Sequence, residues 1–224
     1  MTTYQNSMWR TPAVTNLLIA NIVAYLATQV LNTAQIYGLF ALFPVESYFF
    51  NWWQPVTYMF LHGGFSHLFF NMFALWMFGN TLENIWGSNR FLLFYFVCGI
   101  GAGLVQELVQ YIQYATTLQA YTSVNMGGRI IPMGDYLNLL KTVGASGAVY
   151  GILLAFGMMF PNSTLYIYFA IPVKAKWFVL AYGVIELLSG LNGSADGVAH
   201  FAHLGGMLFG LILILYWKKK GNLY

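Results

Sequence analysis

The sequence predicts an all-α membrane protein, a bundle of six transmembrane helices, and three observations carry that expectation. Of its 224 residues 59% are hydrophobic and only 7% charged. A soluble domain carries about 25% charged residues, so there are too few charges here to cover a water-facing surface. Apolar runs recur along the chain, several of them near the ~20 residues that a helix needs to cross a bilayer. Phe, Tyr and Trp make up 19% of the chain, which suits lipid-facing and interfacial surface.

A polar tail, residues 1–11, precedes a first apolar run from about Val14 to Leu31. It holds one basic residue, and no clear small-residue cleavage site follows it, so a retained helix is expected and not a cleavable leader. Asn32 to Ser66 is broken by Pro44 and Pro55 and carries Tyr48, Phe49, Phe50, Trp52 and Trp53. Too interrupted to span, it reads as a loop lying in or on the membrane interface. The second run is His67 to Trp86, then a tight turn at Gly87, Ser88 and Asn89, and the third is Phe91 to about Tyr114. Ala115 to Lys141, the most polar stretch, reads as an exposed loop with a short helix at Asp135 to Leu140. The fourth run, Ser146 to Phe160, is stopped by Pro161 after 15 residues. The fifth is Trp177 to Ser189. A glycine-rich loop, Gly190 to Gly197, leads into the sixth, Ala199 to Trp217, and a basic tail of residues 218–224 follows. The transmembrane domain is thus expected over residues 12–217.

Six spans put both termini on one side. That side then holds Arg10, Arg90, Lys174, Lys176, Lys218, Lys219 and Lys220, against Arg129 and Lys141 on the other. The asymmetry makes both termini cytoplasmic and the protein a multi-pass component of the cell membrane. The net charge of +3 is read by position in this way and is no nucleic-acid signature. Cys98, the one cysteine, lies in an apolar run as a small buried residue.

Polar groups inside a membrane are expensive and usually functional. Ser146, His203 and Asn71 each lie 15 residues before the expected cytoplasmic boundary of their runs at Pro161, Lys218 and Trp86. At 1.5 Å per residue that is roughly 22 Å, so three helices bring polar side chains to one depth in the outer part of the bilayer. The fourth run is too short to cross the core and must start within it. The backbone leading to it, Lys141 to Ala145, is tolerated there only packed in protein or lining a wet cavity. A water-filled cavity opening outward follows.

Ser146 starts a helix in Gly144-Ala145-Ser146-Gly147. Glycines allow close backbone approach, and a helix start offers free N–H groups and partial positive charge to a developing oxyanion. The same pattern also describes a mere N-cap with small neighbours. His203 precedes Gly206 and Gly210, a small-residue face that allows close helix approach. With Gly147 and Gly151 as its partner face, His203 reaches the Ser146 hydroxyl as the general base that a neutral serine needs. His67 and Asn71, four apart, share a helix face and can both donate to an oxyanion. Tyr150, four after Ser146, can pack on the His203 ring. Glu107 and Glu186 read as hydrogen-bonding groups at a cavity rim. The histidines His62, His67, His200 and His203 fall near the outer helix ends, which raises a metal reading. No H-E-x-x-H motif is present and no aspartate or cysteine stands beside them, so neither a metal nor a cofactor is expected.

The motifs resemble those of the rhomboid family of intramembrane serine proteases. The likeness rests on His62, His67 and Asn71, on Gly144 to Gly147 with Tyr150, on Ala202 to Gly210, and on the turn with Glu83, Gly87, Ser88 and Arg90. It covers Asn51 to Phe209. The resemblance implies a six-helix rhomboid-like bundle with residues 51–66 as a membrane-embedded first loop. Ser146 would be the nucleophile and His203 the base, a dyad with no acidic third member. His67, Asn71 and the Ser146 N–H would stabilise the oxyanion, with His62, Gly144, Gly147 and Tyr150 in support. The activity implied is endopeptidase cleavage of single-pass transmembrane substrates, with local unwinding of the substrate helix, at a site opening to the outer side. Trp53-Gln54 departs from the Trp-Arg of many relatives, the loop from Ala115 to Lys141 is long, and His200 is extra. A client-binding relative without activity would lack the nucleophile or base, and a transporter would place charges along a through-path. The glycine-rich loop is a candidate lid. The sequence assigns no oligomeric state.

Overall fold

The computed structural model describes residues 11–167, 170–192, 198–221 and 223. Arg10, most of the N-terminal tail and the 193–197 portion of the expected lid lie outside the described residues. The chain is mostly helical. The first helix, α1 (Pro12–Val30), is followed by the short helices α2 (Thr33–Phe40) and α3 (Gln54–Thr57). Next, α4 (Phe65–Ala74) runs through a π-helical segment, Leu75–Gly79, into α5 (Asn80–Trp86). Gly87, with φ +76°, makes the turn into α6 (Ser88–Gln113). Among the described residues, three helices are long and apolar enough to cross a membrane: Pro12–Val30, Ser88–Leu118 and His200–Lys219.

The stretch read as an exposed loop is more structured than expected. The helical path continues to Leu118, and β1 (Ser123–Met126) pairs antiparallel with β2 (Arg129–Pro132) before α7 (Met133–Leu137). Gly127 and Gly128 close this hairpin with φ of +60° and +93°, the two left-handed residues that a tight hairpin turn demands and glycine supplies. After α8 (Ser146–Met159), a second hairpin pairs β3 (Thr164–Ile167) with β4 (Ile171–Lys174). Then come α9 (Ala175–Leu191) and α10 (His200–Lys219).

The centre of the bundle is α6, α8 and α10, each packed on the other two, with α9 against α8 and α10. Phe91, Phe94, Tyr95 and Cys98 on α6 are wholly buried there. Apolar side chains also cover the outside: Ile19 and Val23 on α1, Leu104 and Leu108 on α6, Ile185 on α9 and Ile212 on α10 are all exposed. Helices apolar on both faces are those of a membrane domain.

Glu83 closes the end of the bundle at which α1 begins. Its carboxylate accepts from the N–H groups of Ala13 and Val14 (2.8 Å each) and from the Ser88 hydroxyl (2.7 Å). The first-turn donors of α1 lack intrahelical partners, and an anion at a helix start satisfies them.

The loop between α1 and α4 is tied down by side-chain hydrogen bonds. Gln54, at the position where the resemblance leads one to expect arginine, is buried in the loop. It accepts from Phe43 N–H (3.3 Å) and donates to Phe49 O (2.7 Å), while Trp53 Nε1 donates to Leu39 O (2.8 Å). Glu107 on α6 accepts from Val45 N–H (3.1 Å), a structural bond to this loop.

Candidate active site

The backbone that delivers Ser146 is held in protein on both sides. Leu42 and Thr142 exchange two main-chain bonds, at 2.7 and 3.0 Å, and Gly144 N–H donates to Tyr58 O (3.0 Å). The Tyr58 hydroxyl in turn donates to Gly99 O (2.6 Å), anchoring the loop to α6. At Gly144 the backbone has φ +129°, and a Cβ there would stand 2.7–2.8 Å from the His67 ring. Glycine is required on both counts. Ser146 then opens α8, and no side chain caps that helix start. Its first-turn N–H groups are thus open to an anion, as helix N-termini offer.

His203 sits on the first turn of α10, buried at 8% exposure, and its Nε2 lies 2.8 Å from Ser146 Oγ. Two residues 57 positions apart meet because α8 and α10 cross backbone to backbone. A Cβ on Gly206 would fall 1.9 Å from Gly147 O. Gly147 itself packs on Ala102 of α6, and Gly151 faces Cys98 and the Gly206 carbonyl. The small-residue faces read from the sequence are the faces in contact.

His67 lies on α4 over Gly144. Its Nδ1 accepts from Gly63 N–H (3.3 Å). A neutral imidazole has one N–H, so with Nδ1 accepting the proton is on Nε2, an atom that lies against Gly144. His62 is wholly buried and packs edge-on against the His67 ring at 5.0 Å. Its carbonyl accepts from the Tyr37 hydroxyl (2.6 Å). Asn71, one turn below His67, is 6% exposed and spends one amide proton on His67 O (2.8 Å).

Tyr150 stacks on His203 with ring centroids 4.2 Å apart and planes within 7°. Its hydroxyl donates to Glu186 of α9. The sequence placed Glu186 at a cavity rim; the structure puts it behind the histidine. Its second oxygen, Oε2, lies 2.6 Å from His200 Nδ1, and Oε1 lies 3.0 Å from His203 Nδ1. The latter approach is off the direction of a formed hydrogen bond. Glu186 is the sole acidic residue of α9, and an isolated acid in an apolar helix was the signal available. Glu186, His200 and His203 thus bring one side-chain donor or acceptor atom each within 4.8 Å of one another.

A helix bundle with an outwardly apolar surface defines the class as an integral membrane protein, and within it a half-buried serine hydroxyl lies against a buried imidazole. Residues 50–220 match the family described as "Rhomboid domain", and the chain belongs to the rhomboid family. It is 28% identical over 176 residues to "Putative rhomboid protease YdcA" of Bacillus subtilis (strain 168), covering 77% of this chain and 71% of that protein. It is 30% identical over 172 residues to "Rhomboid protease AarA" of Providencia stuartii, covering 74% and 56%. With "Rhomboid-like protein 11, chloroplastic" of Arabidopsis thaliana it shares 29% over 224 residues, covering 91% and 64%.

Proposed function

We propose that this chain is an intramembrane serine endopeptidase that cleaves single-pass transmembrane proteins near the outer face of the bilayer. The observation that carries the reading is the 2.8 Å contact between His203 Nε2 and Ser146 Oγ. The Ser146 hydroxyl gives its proton to Nε2 as Oγ bonds to the scissile carbonyl carbon, whose π electrons move to oxygen. The carbonyl oxygen becomes an oxyanion. On its collapse the C–N bond breaks, and the imidazolium returns the proton to the departing amine, leaving an acyl-serine for water to hydrolyse with His203 again as base. The Ser146 N–H, the His67 Nε2–H and Asn71 donate to the oxyanion. A helical substrate hides its carbonyls, so it must unwind locally, and glycine near the cut eases that.

The membrane domain spans residues 12–217 as six helices, α4 with α5, α8 and α9 joining the three long ones. Residues 1–11 and 218–224 are cytoplasmic tails, and the active site opens outward. The partners are the bilayer and the substrate; the mechanism uses no metal, cofactor or nucleic acid.

A fluorophosphonate probe in detergent should label the wild-type serine and fail to label Ser146→Ala. Equal labelling of both, or none on folded wild type, overturns the reading. Asn71→Ala should lower turnover about 10²–10³-fold, the usual loss for one oxyanion donor. Its resting bond goes only to its own helix, so thermal stability should change by no more than about 1 kcal/mol. Turnover equal to wild type would remove Asn71 from the oxyanion site.

A further inference from the structure

We infer that Glu186 is a third member of the machinery, a positioning residue that orients His203 and stabilises its protonated form. The inference rests on the serine-protease reading above and departs from the two-residue dyad that the sequence motifs implied.

The argument starts from the imidazole tautomer. His203 Nε2 must accept from the Ser146 hydroxyl, so in the neutral ring the proton sits on Nδ1. Nδ1 is buried and needs an acceptor, since an unpaired donor away from water is costly. The carboxylate oxygen 3.0 Å away, Glu186 Oε1, is such an acceptor. The contact is not aligned as a hydrogen bond in the resting protein, and catalytic bonds are often loose until substrate binds. When Nε2 takes the serine proton the ring becomes a cation, and an anion at this distance stabilises it in a low-dielectric site.

The carboxylate is fixed independently of His203. Oε2 is held by His200 Nδ1 at 2.6 Å, and Oε1 accepts from Tyr150, whose ring is stacked on His203. Three donors converge on an ionised carboxylate that has about four acceptor positions. His200, the histidine without a role in the motif pattern, thereby becomes the strut that holds Glu186. Glutamine in this place keeps one acceptor oxygen and turns an NH₂ donor towards a neighbouring donor, so it removes the charge and breaks the set.

The test is the rate of fluorophosphonate labelling at Ser146 in detergent-solubilised protein, resolved into kinact and KI. Wild type labels and Ser146→Ala does not; failure of that pair overturns the serine-protease reading and this inference with it. Given that pair, Glu186→Gln should lower kinact about 10²-fold or more with KI within about 2-fold, the pattern of a lost orienting acid. Glu186→Asp keeps the charge one methylene further back and should recover about tenfold over Glu186→Gln. Thermal unfolding of each variant shows that it is folded. A Glu186→Gln kinact within about threefold of wild type, a loss confined to KI, or equal losses in Gln and Asp would overturn the assignment.

Discussion

Ser146→Ala, His203→Ala and the double variant should fall to one common floor, on the order of 10⁴–10⁶-fold below wild type in hydrolysis of a single-span model peptide with glycine near its outer end. The reason is that the two side chains perform one proton transfer. The Ser146 hydroxyl at 2.8 Å from His203 Nε2 is a weak nucleophile without a base, and the imidazole has no proton to take without the hydroxyl. Once one is gone the other contributes nothing, so the losses do not add. The residual rate belongs to the oxyanion donors and to substrate binding, which survive in all three variants. A double variant a further 10²-fold below either single would mean that the residues act separately. A His203→Ala protein retaining a tenth of wild-type turnover would mean that another base serves Ser146.

How much of this was legible in the sequence follows from what membrane burial does to sequence signals. Long apolar runs bounded by Gly, Pro and basic residues located α1, α6 and α10 within a few residues, because the length needed to cross a bilayer leaves few alternatives. The meeting of α8 with α10 was also legible, since Gly147, Gly151, Gly206 and Gly210 stand at helical spacing and only small residues permit such an approach. The two hairpins were not read. Gly127 and Gly128 were a turn signal, but strands of four residues such as Ser123–Met126 are too short to show a convincing alternation. The position of Glu186 was missed for a different reason. In α9 most neighbours are apolar, and Tyr182 and Ser189 are too weakly polar to mark a stripe that fixes the helix rotation. Which partner the single carboxylate meets is decided by packing against α8 and α10. Asn71 shows the same limit: that it shares a helix face with His67 was readable, but its bond to His67 O was not.

Gly206→Ala should cost both stability and turnover, because its added methyl group meets the nearest obstacle found for any of the described glycines. The added Cβ would lie 1.9 Å from Gly147 O, 2.6 Å from Gly147 C and 3.1 Å from its Cα. All three obstacles are backbone, so no side-chain rotation relieves the clash, and the helices must separate by more than about 1 Å to reach ordinary contact distance. Overpacking of this kind costs about 1–3 kcal/mol. The consequence for chemistry is larger, because Ser146 is one residue from Gly147 and His203 three from Gly206. A 1 Å misplacement of reacting groups costs about 10²-fold in rate, and the same displacement lengthens the 2.8 Å contact beyond hydrogen-bond reach. Turnover of the model peptide should therefore drop about 10²-fold or more, with a lowered Tm. Gly134→Ala provides the contrast, since a Cβ there meets no atom within 4 Å, and it should match wild type in both measurements. If Gly206→Ala also matches wild type, then α8 and α10 do not approach backbone to backbone, and the spacing between Ser146 and His203 has some other origin.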